Sequence, residues 1–129
     1  MADYSPVLAN GAVPFSSTTS AAVTGGVIVA VSAAGTVATA GAGSTAAIGV
    51  AAHDAASGAR LSIWPLNNVV HEVTVVAAGT VTAGDGVATG ALGTAATIAV
   101  ATGAAAGSLI GTATTTATAP NKVRFIGRG

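Results

Sequence analysis

Two dipeptides, His53-Asp54 and His71-Glu72, contain the side chains best suited to chemistry in this sequence. Imidazole and carboxylate groups bind zinc and exchange protons in hydrolytic sites, so these residues could form a metal or catalytic centre. Neighbouring residues on a strand point to opposite faces of a sheet, however, and His71 and Glu72 cannot both reach one metal ion without a bulge. We therefore expect His53-Asp54 to begin a polar turn and Glu72 to be a solvated or interface charge.

Two glycine-rich stretches, residues 41–43 and 84–86, resemble fragments of phosphate-binding loops. Neither continues into a GxxxxGKS/T sequence or opens a helical pattern, so tight turns explain these glycines better. The sequence has no G-x-S-x-G elbow, and a catalytic triad would depend on only two histidines. We expect a protein that is not an enzyme, with no catalytic, cofactor-binding or metal-binding residue and no cofactor.

The charge of the chain limits its partners. Only four acidic and four basic residues occur among 129, and the net charge is zero. A phosphate backbone attracts clustered positive charge, so we expect no nucleic acid partner. Ser, Thr and Gly interrupt every apolar window, whereas a bilayer span needs about 20 consecutive apolar residues, so we expect no membrane partner. The first residues contain an acid, Asp3, where a secretory signal has bases, so no export signal is expected.

The side chains are too small to fill a core generously. The length fits one domain, but aromatic residues make up only 3% and 18 residues are Gly. Buried apolar area contributes roughly 25 cal/mol per Å², and ordering each residue costs about 1–2 kcal/mol of backbone entropy. A thin core is usually compensated by disulfides, metal or oligomerisation. With no Cys, we expect oligomerisation or docking onto a larger surface.

Short strands separated by Gly turns are predicted to position the residues named above. Val69–Val76 alternates most clearly, with His71 on the same face as Val73 and Val75. In the strand Ala59–Trp64, Leu61 and Ile63 share one face. Such strands every ten or so residues predict an all-β fold, a small barrel or sandwich. The Ala/Gly/Thr-rich region 88–119 allows no definite strand register.

The chain contains two weakly related halves. Ile48-Gly49 recurs as Ile110-Gly111, 62 residues later (110 minus 48), and the same step aligns Arg60 with Lys122. The upstream flanks 35–40 and 93–98 also correspond, at an interval of 58 (93 minus 35), so a four-residue gap separates the two alignments. We expect a duplicated β unit of about sixty residues, because solenoid repeats usually need ~3 or more copies.

The first twenty residues lack the periodicity of the rest. They contain two prolines, Asn10-Gly11 and a Ser/Thr run, which predict an extended N-terminal arm over residues 1–20 and a single β domain over 21–129. The apolar side chains of the arm have no evident strand partner in their own domain. With the single Trp, they form the candidate interface with a larger surface or another subunit: Tyr4, Pro6, Leu8, Val13, Phe15 and Trp64.

The order of several short motifs resembles that of the small capsid decoration, or head cement, proteins of tailed bacteriophages. The motifs are GVIV at 26–29, IGVAAHDAASG at 48–58, VTAGDGV at 81–87 and IG at 110–111, and they span roughly residues 25–126. The resemblance implies a β-rich protein, commonly a trimer, on the outside of the phage head. It implies no catalytic residue.

The expected function is therefore that of a structural virion protein. Made in the host bacterial cytoplasm, it would bind the outer surface of the capsid as a homotrimer and clamp neighbouring major capsid subunits. The alternative is an ice- or surface-binding β protein, because alternate threonines in the segment 112–118 could form a flat array.

Overall fold

The computed structural model describes residues 3–128, and Met1, Ala2 and Gly129 of the expected arm and domain lie outside them. Strands dominate the fold, which confirms the all-β prediction. In chain order the elements are β1 (Phe15–Thr19), β2 (Ile28–Ala33), β3 (Thr36–Thr39), β4 (Ala47–Ala51), β5 (Arg60–Pro65), β6 (Val70–Thr74), β7 (Thr80–Val81), β8 (Gly86–Thr89), β9 (Ala95–Ile98), α1 (Val100–Ala106), β10 (Gly111–Ala113), β11 (Ala117–Thr118) and β12 (Lys122–Gly127).

The first five strands form a closed barrel in the order β1-β3-β2-β4-β5, which we call the first barrel. Its ring closes because β1 pairs with β5 on one side, in antiparallel register, and with β3 on the other, in parallel register. Leu61 and Ile63 of β5 are buried inside it, as their alternation predicts. Where the ring is closed, each strand has a hydrogen-bonded neighbour on both sides.

A second five-stranded sheet has the order β6-β12-β10-β8-β9, and we call it the second sheet. Its two outer strands also approach each other, because an isolated parallel bridge joins Val75, just after β6, to Ala95 of β9. The first barrel has the same contact between Thr19 and Val37. The second sheet therefore curls as the first barrel does and is joined at its edges by a single bridge.

Strand register confirms the duplication that the sequence predicts. β4 and β5 pair Val50 with Trp64, and β10 and β12 pair Thr112 with Ile126, each partner lying 62 residues later. The interval of 58 is equally clear in the neighbouring strands. β2 and β3 pair Val29 with Thr39, whereas β8 and β9 pair residues 87 and 97.

The four-residue gap between the two alignments lies at the helix α1. This helix stands between β9 and β10, where the first half has only a loop between β3 and β4. The sequence gives no sign of α1, because Ala, Gly and Thr in region 88–119 have no helical apolar period. Its end follows from Gly107, which adopts a positive φ of 75° at the helix C-terminus.

Glycine permits the same close strand approach in both halves. A Cβ at Gly49 would overlap the carbonyl oxygen of Trp64, and a Cβ at Gly111 would overlap that of Ile126. Because the partners also lie 62 residues apart, the IG motif marks a place where two backbones come too close for any side chain.

Two clusters of buried residues form the core. The first barrel encloses Val23, Val29, Val37, Ala51, Leu61 and Ile63. A larger cluster fills the second sheet around Phe125 and also includes Ile28, Ala30 and Val50, which alternate with the interior residues of β2 and β4. The outer face of the first barrel thus packs against the second sheet, and the two halves share one core.

The structure corrects the prediction that Phe15 has no strand partner in its own domain. Phe15–Thr19 is β1, and Phe15 lies opposite Ile63 of β5. Thr19 is buried, and its hydroxyl donates to the carbonyl oxygen of Ala56 at 2.6 Å. The strand escaped prediction because its inward positions after Phe15 carry Ser17 and Thr19 rather than apolar residues.

Candidate interaction surface

Residues 4–8 lie along the outer edge of β6 rather than free in solvent. The Val7 N–H donates to the carbonyl oxygen of Val70 at 2.9 Å, and the Val70 N–H donates to that of Leu8 at 2.9 Å. At the other end of the segment, the Tyr4 N–H donates to the Ala52 carbonyl oxygen at 2.8 Å. These bonds fix the segment across both halves of the molecule.

Tyr4 anchors this segment with its ring and its hydroxyl group. The ring stacks on that of His71, with 5.9 Å between centroids and 23° between planes. Its hydroxyl donates to His71 Nδ1 at 2.7 Å and accepts from the Glu72 N–H at 3.1 Å. Burial raises the pKa of Tyr4 to about 12, and the nearby Glu72 charge adds to the rise.

His71 is buried, and both of its ring nitrogens are occupied. Nε2 donates to the Pro65 carbonyl oxygen at 2.8 Å, so Nδ1 is the acceptor for the Tyr4 hydroxyl. Burial lowers the pKa of His71 below its ordinary value, although the bond to Pro65 opposes this shift. The imidazole is a neutral, hydrogen-bonded core group that also contacts the ring of Phe125, 5.8 Å away.

Glu72 points to the opposite face, as strand geometry predicts. Its carboxylate pairs with Arg124 Nε at 3.0 Å, and the two side chains are 36% and 50% exposed. Such a pair contributes little to stability, typically about 0–1 kcal/mol.

The His53-Asp54 pair lies in a turn after β4, as expected. His53 Nδ1 donates to the Asp54 carbonyl oxygen at 2.8 Å, and Nε2 accepts from the Ser62 N–H at 3.2 Å. The Asp54 carboxylate accepts from the Gly25 N–H at 2.9 Å. Among residues 3–128, no three His, Cys, Asp or Glu side chains come together as possible metal ligands.

Of the six residues of the candidate interface, three are half-buried and three are exposed. Tyr4 contacts its own chain, and Pro6 and Trp64 are half-buried. Leu8, Val13 and Phe15 are exposed. Apolar exposure at the N-terminal end of the chain is therefore concentrated in these three residues and in their neighbour Val7.

Other exposed apolar residues were not anticipated from the sequence. Val31 lies near the end of β2, and it is exposed close to the turn that follows this strand. Leu92 and Val100 are exposed in the second half.

The threonine segment 112–118 does not form the flat array that surface binding requires. β10 ends at Ala113 and β11 begins at Ala117, so the chain bends between them. Thr115 Oγ1 accepts from the Arg124 N–H at 3.0 Å, and Thr116 Oγ1 accepts from the Ala83 N–H at 2.9 Å. These hydroxyls satisfy backbone groups of their own chain, which removes the observation that suggested ice binding.

Among residues 3–128 we find no helix long and apolar enough to cross a bilayer. A pocket beside α1 is lined by Gly103, Ala104, Gly107, Leu109 and Arg128.

Comparison with known proteins gives a likeness in fold. No protein-family model matches the sequence, and no curated protein matches it. Among solved structures, the N base of the head fiber gp8.5 of bacteriophage phi29 has a similar fold, with a TM-score of 0.64. The likeness covers 89% of this chain and 92% of that one at 20% sequence identity.

Proposed function

We propose that the chain is a structural protein of a bacteriophage virion that binds the outside of the head and stabilises it by clamping neighbouring major capsid subunits. The observation that carries this proposal is the fold shared with a phage head fiber base over nearly the whole of both chains. A shared fold alone does not establish function, so the proposal also requires a surface suited to docking.

The N-terminal segment provides such a surface. Val7 and Leu8 are exposed, yet backbone hydrogen bonds to Val70 hold them in place. Apolar side chains that are already ordered lose little conformational freedom on binding, which favours affinity. The chain has zero net charge, which limits nonspecific attraction to nucleic acid.

We further propose a homotrimer. Buried residues of the first barrel are mostly Val and Ala, which contribute less apolar area than larger side chains. An obligate interface can bury roughly 2,000 Å² or more of additional surface. Light scattering at micromolar concentration is expected to give three times the mass of one chain, and a monomer both in solution and on the particle would contradict the trimer.

Binding, rather than catalysis, is the proposed activity. His53 holds the turn after β4 through both of its ring nitrogens. Replacing His53 with Ala, or adding a chelator, is expected to leave head attachment unchanged. Loss of attachment without unfolding would identify a metal-dependent or histidine-dependent role instead.

The decisive experiment mixes the purified protein with expanded phage heads that lack it. Wild-type protein is expected to co-sediment with heads, to appear on their outer surface by electron microscopy and to raise the temperature at which they open. Leu8→Ser is expected to weaken attachment roughly tenfold, the size of effect seen when an apolar contact residue is lost. Leu92→Ser, the same change at another exposed leucine on the second half, is the control. Absence of wild-type binding to any head preparation would refute the proposed function.

A further inference from the structure

The two halves differ most at one end of their barrels. In the first barrel, Phe15 precedes the part of β1 that pairs with the start of β3, and Val31 lies beside the turn that joins β2 to β3, so both residues are at the same end. Three apolar residues are exposed there or immediately before β1: Val13 (74%), Phe15 (41%) and Val31 (49%). We call this region the open end.

Matching positions of the second sheet are covered. β1 and β6 align at an interval of 56, because Phe15 pairs with Ile63 as His71 pairs with Phe125. The three residues that correspond to the open end are buried: Val69 (0%), His71 (0%) and Thr89 (2%).

Two parts of the chain cover that end of the second sheet. A loop of the first half reaches Thr89, whose hydroxyl donates to the Gly41 carbonyl oxygen at 2.7 Å and accepts from the Ser44 N–H at 2.8 Å. The extended segment 4–8 covers the edge of β6, with the Tyr4 ring over His71. The extended segment 4–8 and the loop of the first half together bury this end of the second sheet.

The corresponding edge of β1 carries similar backbone groups, except that Pro14, which matches Val70, has no N–H. The Thr19 N–H donates to the carbonyl oxygen of Ala59, just before β5, so strand alternation directs the Ser16 N–H away from β5, toward the outer edge. In the second sheet this position is Glu72, whose N–H donates to the Tyr4 hydroxyl. Within residues 3–128, no strand pairs with this outer edge at residues 14–16.

We propose that the open end receives an extended, uncharged segment of the capsid subunit, which adds to the edge of β1 and places an aromatic or large aliphatic side chain over Phe15. The source of the segment rests on the proposed function; its conformation and chemistry rest on the duplication, because the chain fills the matching edge with residues 4–8. Strand addition of this kind obtains affinity from backbone hydrogen bonds and specificity from alternate side chains.

The chemistry of the edge limits what can bind. Phe15 has no acceptor atom where His71 has Nδ1, so the side chain above it need not be a donor. Pro14 has no N–H, and it therefore offers only its carbonyl oxygen. The nearby cation, Arg60, already donates to the Ser16 hydroxyl at 2.6 Å. An apolar segment that donates and accepts through its backbone fits these groups.

A second copy of this chain fits the open end less well. Three side chains make a small patch, whereas a stable interface between folded proteins buries at least roughly 1,000 Å². The segment 4–8 of any copy is also held on its own β6 by backbone hydrogen bonds. Exchange of segment 4–8 between copies is the alternative, and the experiment distinguishes it from binding of a capsid segment.

A peptide copying residues 4–9 with blocked termini is a direct probe, because residues 4–8 fill the matching edge and carry no charged side chain. We expect saturable shifts of the Phe15, Ser16 and Val31 amide signals in NMR spectra of the labelled full-length protein. The signals of Val70 and Glu72 are expected to stay unchanged. No shift, shifts confined to Val70 and Glu72, or shifts that depend on protein concentration without peptide would each overturn the inference.

Phe15→Ala is expected to raise the dissociation constant of the probe roughly tenfold, as truncation of an aromatic anchor does. Leu92→Ala is the control on the other half and should leave the affinity unchanged. Ser16→Pro removes the outward N–H while keeping the β1–β5 hydrogen bonds, so it tests the edge without truncating Phe15. If both variants fold by circular dichroism and both bind the probe normally, the inference is wrong.

Head co-sedimentation separates this inference from the proposed function. If wild-type protein binds heads and Phe15→Ala binds them at least roughly tenfold less well, both are supported. Normal head binding by a folded Phe15→Ala variant overturns the inference and leaves the proposed function intact. If the probe binds the open end but wild-type protein binds no heads, the proposed function fails and the capsid origin of the segment fails with it.

Discussion

The first barrel and the second sheet follow one pattern of strand pairing, yet their surroundings differ. Val50 pairs with Trp64 as Thr112 pairs with Ile126, so the backbone arrangement survived extensive change in side chains. In the second sheet, one end is closed by residues 4–8 and by a loop of the first half. The same end of the first barrel is open and apolar. The chain thus covers this end itself in one half and leaves it exposed in the other.

The two halves also differ at α1, because only the second half contains this helix. A Cβ at Gly86 would meet Val100 and Leu109, so the helix region lies directly over β8. At the matching position of the first barrel, Ile28 packs into the core shared with the second sheet. The inserted helix therefore covers a face that the first half buries against its neighbour.

The largest effect is expected from blocking the close strand approach that both halves share. Gly49→Ala and Gly111→Ala each place a Cβ against a backbone carbonyl, so each should lower the free energy of unfolding by about 3 kcal/mol or more. Gly41→Ala is the control, because no atom lies within 4 Å of its Cβ position. It should change stability by no more than ~0.5 kcal/mol.

Urea unfolding measures these effects. If one glycine variant of the pair is as stable as the wild type, the two halves do not share the close approach at that position.

A second change sharpens the difference between Phe15 and His71. Tyr4→Phe leaves His71 Nδ1 and the Glu72 N–H without their partner, which should cost about 1–3 kcal/mol of unfolding free energy. Adding His71→Phe makes the second sheet resemble the first barrel at this position. The double variant should lose less stability than the sum of the single variants, because one change removes the acceptor that the other leaves unpaired. Strictly additive losses would show that the hydrogen bond is not formed.

The pH dependence of stability tests the burial of His71. Its pKa is lowered in the folded protein, so the unfolded chain binds a proton first as pH falls. The stability that the neutral His71 contributes to the folded protein is therefore fully present above the ordinary pKa of about 6.5. It is lost as the pH falls below that value, by at most about 1.4 kcal/mol per pH unit. His71→Phe should lack this slope between pH 5 and 7. Equal slopes for the two proteins would show that His71 is not the group responsible.

The smallest expected effect concerns Glu72 and Arg124, which occupy the positions of Ser16 and Ser62 in the first barrel. A double-mutant cycle with alanine should give a coupling energy of roughly 0.2–1 kcal/mol, because both side chains are partly exposed. High salt should reduce it further. A coupling energy that is large and independent of salt would mean that the pair is more buried than the structure shows.

Several features were determined by the sequence alone. Alternation placed Val69, His71 and Val73 on one face, and all three are buried. The recurrence of Ile-Gly gave the interval of 62, and strand register confirmed it. Both signals are local, since they depend on which side of a strand a residue faces and on whether a side chain fits between two backbones.

Tertiary structure alone decided the rest. β1 has Ser and Thr where a strand usually shows apolar alternation, so its place in the barrel follows from hydrogen bonds to β5 and β3. Residues 4–8 dock on β6, more than sixty positions away, because Tyr4 meets a buried histidine there. Similarly, the interval of 56 between β1 and β6 becomes visible only through their partners. Contacts between distant segments depend on closure of the whole chain, and no local pattern encodes which edges remain open.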